Sequence, residues 1–449
     1  MAFDRLSRLA SIPALFLAAL LYTVSAVPGA ALTLLRDADI EHGLTRLSAP
    51  VLTAAGLNPK RVRVLVVDDS SFNAFVIDSK TIFIHSGLIL KVGSPEMLQA
   101  VIAHEAAHIA NGHITRRMQN LKSANSAAGL GLALAAVAAA AGGGEAAAGI
   151  AIGTQSSAMR GFLAHTRAEE ASADRSAAGY LSRSGISPQG MIDVHQLFAG
   201  QELLSTASQD PYMRSHPLSS DRVRAAKAYV AQYGKDEQPD ADHAYWFARL
   251  RGKLSAFERA PAWTKRRAGE ETREDIRRMR LAVAAHRQND LQTALAHMNK
   301  AIAARPSDGF YYELKGQILM ENRRWTEALA AYGKAVRLEP GEPLILGSHG
   351  RALLAAGHPK DALASMEKAR GRDFRDTRLL RDMSLAYAKT GQNGLAALVT
   401  AERYALMGRL DDAGLHAKRA VALLPRGSAG WRRAEDVLIA SERHQKRKK

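Results

Sequence analysis

A 34-residue periodicity in the last third of the chain constrains its fold more than any other feature of the sequence. Small residues recur at this interval in three sets that stay in phase: Ala282, Gly316 and Gly350; Ala294, Ala328 and Ala362; and Ala301, Ala335 and Ala369. Small side chains let paired helices pack closely, while larger ones such as Leu329 and Tyr332 fill the core between pairs. The period therefore predicts a stack of helical hairpins.

The period is that of tetratricopeptide repeats, and we expect them over residues 274–426. Pro306 and Pro340 close the first two repeats, and Phe374 stands where the third proline would be. The fourth and fifth repeats are predicted to share one helix, from Ala396 to Met407, because too few residues separate them for two full hairpins. A solenoid of this kind binds peptides or proteins, but the fold alone does not identify a partner.

An HExxH motif at residues 104–108 lies in a segment, Leu98 to Ile114, that is predicted to be helical. Residues four apart lie on one face of an α-helix, so His104 and His108 can bind the same zinc ion. Glu105 lies one step around the helix, where it can act as general base toward a water in the metal's open position. The motif predicts a hydrolytic site with one zinc ion per chain.

A second helical segment farther along the chain offers carboxylates for a third ligand. Spacing alone cannot choose between Glu169 and Glu170. An HExxH motif followed by E-x-x-A-D, here residues 170–174, resembles the gluzincin proteases of the heat-shock-protein-X and prenyl-protein-endopeptidase type. That resemblance implies that Glu170 is the third metal ligand and that Asp174, one turn on, is its partner. Asp174 could accept the free N–H of a zinc-bound histidine and fix its tautomer.

The same resemblance extends to an H-P-L segment at residues 216–218, which Arg222 follows. It implies that His216 approaches the metal as an auxiliary or regulatory catalytic residue, either blocking the water position or assisting the transition state. A surface histidine before a proline turn is the alternative. The other histidines nearby are expected to be hydrogen-bonded or exposed rather than metal ligands: His85, His113 and His165.

The predicted protease domain also contains strands. Residues 62–67 and 81–85 are rich in β-branched residues, which favours strands. Residues 73–75, Asn-Ala-Phe, resemble a segment of the same protease group, whose members place glycines where this chain has Asp-Ser-Lys at 78–80. The exposed edge of a strand beside the zinc helix can pair with an extended substrate through main-chain hydrogen bonds.

These features give a fold class that is mostly α, with a small sheet in a gluzincin-type α+β domain followed by an α-solenoid. The predicted domains are a signal peptide, the zinc metalloprotease domain, linker helices, the repeats and a basic tail, at residues 1–31, 32–240, 241–273, 274–426 and 427–449. A chain of 449 residues is too long for one domain of ordinary size.

The N-terminal residues predict export. Arg5 and Arg8 precede an apolar run from Ile12 to Val24 and then small residues, which is the pattern of a secretory signal peptide. Cleavage after Ala26 or Ala31 fits equally. The run is shorter than the ~20 residues that a membrane span needs. The absence of cysteine agrees with either compartment, because even an exported chain of this size can bury enough core without disulfides.

Residues 127–152 consist almost wholly of Ala, Gly and Leu. Their uncharged part reaches the ~18 residues that mark a transmembrane candidate. The glycines at 142–144 and the small side chains argue against a span, so a helical lid over the active-site cleft, or an element resting on a membrane surface, is expected instead.

The formal net charge is +17. An exported chain would rarely meet nucleic acid, so none is expected as a partner. Anionic lipid headgroups, in a peripheral membrane contact, or acidic proteins are the expected counterparts, and solubility alone is the other explanation.

A signal peptide, a zinc protease and C-terminal repeats together resemble periplasmic proteases of Gram-negative bacteria. That resemblance implies a periplasmic enzyme, soluble or peripherally associated with the membrane, that degrades misassembled outer-membrane β-barrel proteins or aids their assembly. The repeats would recruit these substrates or the β-barrel assembly machinery. A chaperone or scaffold that acts mainly through its repeats is the alternative. The intact ligand set with Glu105 favours the enzyme, because a pseudoenzyme has no chemical need for it.

Overall fold

The computed structural model describes residues 33–123, 166–205, 208–234 and 240–448. The predicted signal peptide and the segment at residues 127–152 lie outside these ranges. Within these ranges, none of the helices has both the length and the apolar character that crossing a bilayer requires.

The first domain packs helices around a small sheet. Its strands are β1 (Leu34–Leu35), β2 (Arg63–Val67), β3 (Ala74–Val76) and β4 (Thr81–His85). Its helices are α1 (Ala38–Ala54), α2 (Ser86–Lys91), α3 (Pro95–Ala110), α4 (His113–Ser123), α5 (Arg167–Arg183), α6 (Gln189–Leu197), α7 (Pro211–Ser215) and α8 (Ser220–Tyr233). The expected combination of mostly α structure with a small sheet is confirmed.

The sheet has the strand order β1-β2-β4-β3. The two predicted strands, β2 and β4, are neighbours and run parallel, while β1 and β3 are antiparallel edge strands. In the turn between β3 and β4, the side chain of Asp78 accepts a hydrogen bond of 2.7 Å from the N–H of Lys80. This side-chain-supported turn stands where the related proteases have glycines.

Helix α3 carries the HExxH motif and is capped at both ends. The hydroxyl of Ser94 accepts a hydrogen bond from the N–H of Met97, and a proline follows at the first helical position. The expected helix is confirmed, but its predicted extension to Ile114 is wrong. It ends at Ala110 because Gly112 adopts a φ of +70°, a left-handed conformation that glycine reaches without strain.

The second half of the chain is helical throughout its described length. Two helices over the predicted linker, α9 (Ala241–Glu258) and α10 (Pro261–Arg267), precede the repeats. The repeat helices are α11 (Glu274–His286), α12 (Leu291–Ala304), α13 (Gly309–Glu321), α14 (Trp325–Leu338), α15 (Pro343–Ala355), α16 (Pro359–Arg372), α17 (Thr377–Lys389), α18 (Asn393–Leu406) and α19 (Leu410–Leu423). Helix α18 packs against both α17 and α19, as expected for a helix that two repeats share.

The recurring glycines are explained by the closeness of the paired helices. A Cβ atom added to Gly316 would lie 2.9 Å from the ring of Tyr332, and one added to Gly350 would lie 2.5 Å from Cγ of Met366. Both separations are shorter than packed carbon atoms allow. The small residues of the sequence period are therefore the points where the two helices of a repeat meet.

The predicted basic tail is not a tail. Residues Ala429–Lys448 form a further helix, α20, that packs against α18 and α19. Ala434 and Ser441 are buried in this contact, and Ser441 lies so close to Gly414 that no larger side chain fits there. A solenoid ends on an uncovered helical face, and α20 covers it. The basic residues of this segment therefore lie on a packed helix.

A cluster of buried and half-buried charges joins the two domains, and we call it the junction cluster: Asp37, Asp39, Arg249, Lys253 and Asp308. Arg249, on α9, contacts Asp39 at 2.8 Å and Asp308 at 2.9 Å. Lys253 lies 2.8 Å from Asp37. The predicted linker thus fixes the protease domain to the repeats, because α9 packs between α1 and α11.

Candidate metal centre

The HExxH helix and the helix with the downstream carboxylates pack side by side in the core. Alanines line this contact and let α3 and α5 approach closely, and all are fully buried: Ala103, Ala106, Ala107, Ala173 and Ala177. A capping box starts α5, in which Thr166 and Glu169 satisfy each other's backbone N–H groups. The pair of helices brings both parts of the sequence motif to one place.

Four side chains present potential ligand atoms that all lie within 4.8 Å of one another: His104, His108, Glu170 and His216. The Nε2 atoms of His104 and His108 are 3.1 Å apart. Glu170 places one carboxylate oxygen 3.3 Å from the first of these nitrogens and the other 3.4 Å from the second. All four residues are buried.

The structure distinguishes Glu169 from Glu170, which spacing in the sequence alone could not do. Glu170 points into the cluster, whereas Glu169 accepts hydrogen bonds from Thr166 and lies 2.8 Å from Arg117. Because consecutive helical residues point about 100° apart, only one of them can face α3. The geometry therefore brings Glu170, and not Glu169, to the histidines.

His216 is buried rather than on the surface, with 1% of its area exposed. Its Nδ1 lies 3.0 Å from Glu170 and 3.2 Å from Nε2 of His104. Its Nε2 lies 3.4 Å from a carboxylate oxygen of Glu105. The ring thus stands between the ligand set and the candidate general base, where a water or a substrate carbonyl would have to be.

Asp174 and Arg222 support the cluster from outside. Asp174 accepts two hydrogen bonds from Arg222, at 2.7 and 2.9 Å, and lies 3.0 Å from Nδ1 of His104. Burial alone would raise the pKa of Asp174, but these hydrogen bonds hold it well below its usual range. Arg222 also lies 2.7 Å from Glu170. The sequence pointed to Arg222 as the arginine after the H-P-L segment but not to these contacts.

One further contact was not expected from the sequence. The Nδ1 of His113 lies 2.9 Å from the Nδ1 of His108, and His113 is buried. The sequence does contain a signal for this contact: the two histidines are five residues apart, and a glycine that allows a turn lies between them. This turn brings the first residue of α4 back toward the motif.

The charge balance of the cluster fits a divalent cation. Among the described residues it contains three carboxylates (Glu105, Glu170 and Asp174) against the single guanidinium of Arg222, all buried. Glu170 and Asp174 raise the pKa of His104 to about 10 even though burial lowers it, so without a metal a proton on His104 supplies part of the missing positive charge. A metal ion would replace that proton, because ligand nitrogens must be deprotonated.

Glu105 has the environment of a general base. It is fully buried, and neither of its carboxylate oxygens accepts a hydrogen bond from any residue that the structure describes. Burial raises the pKa of this carboxyl group. A carboxylate without fixed donors, with its pKa raised toward neutrality, is suited to taking up a proton during catalysis.

Comparison with known proteins agrees with this geometry. Residues 35–230 match peptidase family M48, and residues 248–345 match a tetratricopeptide repeat-like domain. The match to peptidase family M48 covers the first domain, including the residues of the buried cluster. The protein is thus a metalloendopeptidase with C-terminal helical repeats, which confirms the expected combination.

Two relatives match most of the chain. The β-barrel assembly-enhancing protease of Escherichia coli (strain K12) is 23% identical over 399 residues, which are 87% of this chain and 80% of the relative. The protein of the same name from Yersinia pestis is 24% identical over 354 residues, 78% of this chain and 72% of the relative. A structure of MamA from Desulfovibrio magneticus RS-1 is also similar, with a TM-score of 0.31 and 17% identity, and covers 35% of this chain and 92% of its own.

Proposed function

We propose that this protein is a zinc-dependent endopeptidase of the cell envelope, with His104, His108 and Glu170 as zinc ligands and Glu105 as general base. The supporting observation is the buried set of two histidines and one carboxylate beside Glu105, whose oxygens accept no hydrogen bond from the described residues. Nitrogen and oxygen ligands of this kind suit zinc, and three protein ligands leave a position for catalysis.

A zinc ion held by these ligands would act as a Lewis acid on a peptide carbonyl and make a water more acidic. Glu105 takes the proton of the attacking water and passes it to the amine that leaves when the peptide bond breaks. Asp174 holds His104 in the tautomer that leaves its Nε2 free, and Arg222 holds Asp174 in place.

We propose that His216 regulates this site. Its ring lies within 3.4 Å of Glu170, His104 and Glu105, so it fills the space that a substrate would need. Cleavage then requires the residue 211–218 segment to move away, after which the histidine could assist the transition state.

The natural substrates that we propose are misfolded or stalled outer-membrane β-barrel proteins in the periplasm, in keeping with the name of the relatives. An unfolded chain would pair with the edge strand β3 and reach the site in extended form. The repeats would recruit these substrates or the β-barrel assembly machinery. The exposed basic residues Arg432, Arg443 and Lys446 of α20 are available for a peripheral contact with anionic lipid.

The substitution Glu105→Gln tests the enzyme function directly. We expect it to retain zinc and the fold but to lower the cleavage of an unfolded protein such as casein by at least about 100-fold, because the proton acceptor is lost. Glu96→Gln, on the first turn of the same helix, serves as the control and should cleave normally. Cleavage by Glu105→Gln at the wild-type rate would remove the base assignment.

The recruiting role needs a separate test on the intact chain. A cavity of about 180 Å³ lies between the repeats and residues 36–38, and its lining includes Gln317 and Ser348 of the repeats. Replacing both with Arg should slow the cleavage of a large unfolded protein but leave the cleavage of a short peptide unchanged. If the variant cleaves both substrates at the wild-type rates, recruitment through this face is contradicted. Wild-type protein that has no peptidase activity but still protects unfolded proteins from aggregation would favour the chaperone function.

A further inference from the structure

His113 takes no part in the proposed reaction, yet its ring lies against a proposed metal ligand. It is 2% exposed, and its Nδ1 is 2.9 Å from the Nδ1 of His108. Two ring nitrogens at this distance share one hydrogen, so one donates and the other accepts. The placement of that hydrogen decides how His108 can bind a metal.

The orientation of the His108 ring shows which of the two histidines donates the hydrogen bond. Its Nε2 faces the other ligand atoms, 3.1 Å from His104 and 3.4 Å from Glu170. A nitrogen that binds a metal carries no hydrogen, so a neutral His108 must carry its hydrogen on Nδ1. That N–H points to Nδ1 of His113, which must then be the acceptor and carry its own hydrogen on Nε2.

We infer that His113 is a positioning residue of the metal site, which accepts the Nδ1–H of His108 and so fixes the tautomer and ring orientation in which His108 binds zinc. This inference rests on the proposed zinc centre. The two ligand histidines are then held by different partners. Asp174 is an anion and makes His104 more basic, whereas a neutral imidazole orients His108 with a smaller effect on its basicity.

The local backbone explains how His113 reaches this position. Helix α3 ends after the motif, and Gly112 turns the chain with a φ of +70°. The next residue, His113, starts α4 and faces back toward the last turn of α3. A residue with a side chain would be strained in this conformation, so the glycine at position 112 allows the turn that positions His113.

The zinc affinity of the full chain tests the inference, measured by competition with a chromophoric chelator. His113→Phe keeps the ring shape and removes the acceptor, so affinity should fall by about 10–100-fold. His113→Asn offers a carbonyl oxygen near the position of Nδ1 and should stay within about threefold of wild type. His85→Phe replaces a buried histidine whose ring contacts Ser71, and it should bind zinc normally.

The outcomes are distinguishable. Unchanged affinity in His113→Phe, or equal losses in the Phe and Asn variants, would overturn the positioning role. If the Phe variant does not fold, the ¹⁵N spectrum of ring-labelled, zinc-loaded wild type decides: a hydrogen on Nε2 of His113 supports the inference, and one on Nδ1 overturns it. Wild-type protein that binds no stoichiometric zinc would instead refute the proposed zinc centre itself.

Discussion

The metal cluster and the junction cluster are both groups of buried charges, but they are built in opposite ways. In the junction cluster, Arg249 and Lys253 each contact carboxylates at 2.8–2.9 Å and so balance most of the negative charge. In the metal cluster, Arg222 stands against three carboxylates, and Glu105 accepts no hydrogen bond from the described residues. The first cluster has two permanent cations for three carboxylates, whereas the second has only one permanent cation for three.

This difference separates a structural from a functional use of buried charge. Buried ions cost free energy unless oppositely charged partners accompany them. The junction cluster takes its partners from two domains, so its pairing stabilises the way in which they pack. The metal cluster leaves its pairing incomplete, so a cation can bind there with a large gain. Buried carboxylates with few permanent cations beside them thus point to a binding site, whereas carboxylates that each lie against a permanent cation point to a scaffold.

The largest effect should follow removal of the third ligand. Glu170→Gln should lower zinc affinity by more than the 10–100-fold that loss of an outer partner costs. Glu169→Gln is the matched control from the adjacent position and should keep the metal, losing only about 1 kcal/mol of helix capping. Metal analysis and urea unfolding measure both. Zinc retained by Glu170→Gln but lost by Glu169→Gln would reverse the assignment.

The opposite result is expected at the junction. Arg249→Met should lower the free energy of unfolding by about 3–5 kcal/mol, because it removes the closest cation from both Asp39 and Asp308. Zinc affinity of the folded protein should not change. Arg46→Ala breaks an exposed pair with Asp242 and should cost less than about 1 kcal/mol in the same urea titration. A loss of zinc affinity in Arg249→Met would show that the two clusters are not independent.

A smaller effect with a defined pH range is expected at a second contact between the domains. Asp373, in the repeats, lies 2.7 Å from Arg36 and 2.9 Å from Arg63 of the protease domain. Burial raises the pKa of this carboxyl group, but the two guanidinium groups lower it by a larger amount, so that the resulting pKa is about 2. Its contribution to stability is therefore present above pH ~4 and is lost as the pH falls from there toward 2.

Asp373→Asn should therefore cost about 2 kcal/mol at pH 6, and the difference from wild type should shrink as the pH falls below 4. Urea unfolding at a series of pH values measures this difference. Asp221→Asn, which removes an exposed carboxylate, should show little difference at any pH. A gap between wild type and Asp373→Asn that stays constant down to pH 3 would mean that the carboxylate charge is not what joins the domains.

The sequence predicted those parts of the fold that depend on local periodicity. The 34-residue period located the repeats, because each glycine that it marks is a contact between two helices of one hairpin. Residues 429–448 were assigned wrongly because their basic composition resembles a tail. Their helix is stabilised by burial against α19, which no local pattern encodes.

The candidate site, like the fold, has one part that local spacing predicted and another that depends on packing. HExxH fixes His104, Glu105 and His108 relative to one another, since four residues make about one turn of any α-helix. The choice between Glu169 and Glu170 needed either a family resemblance or the packing of α5 on α3. The contact of His113 with His108 depends on a turn at Gly112, and no sequence pattern indicated the direction of the chain beyond that turn.

By itself, then, the sequence determined the metal-binding motif, the repeats and the presence of a small sheet, because each follows from spacing along one helix, hairpin or strand. Only the tertiary structure decided that His216 stands between the ligands and Glu105, that Arg222 bridges Asp174 and Glu170, and that α9 joins the domains through buried ion pairs. These contacts join residues that are distant in the chain. Their energies come from burial and charge in a shared interior, which exists only once the helices have packed.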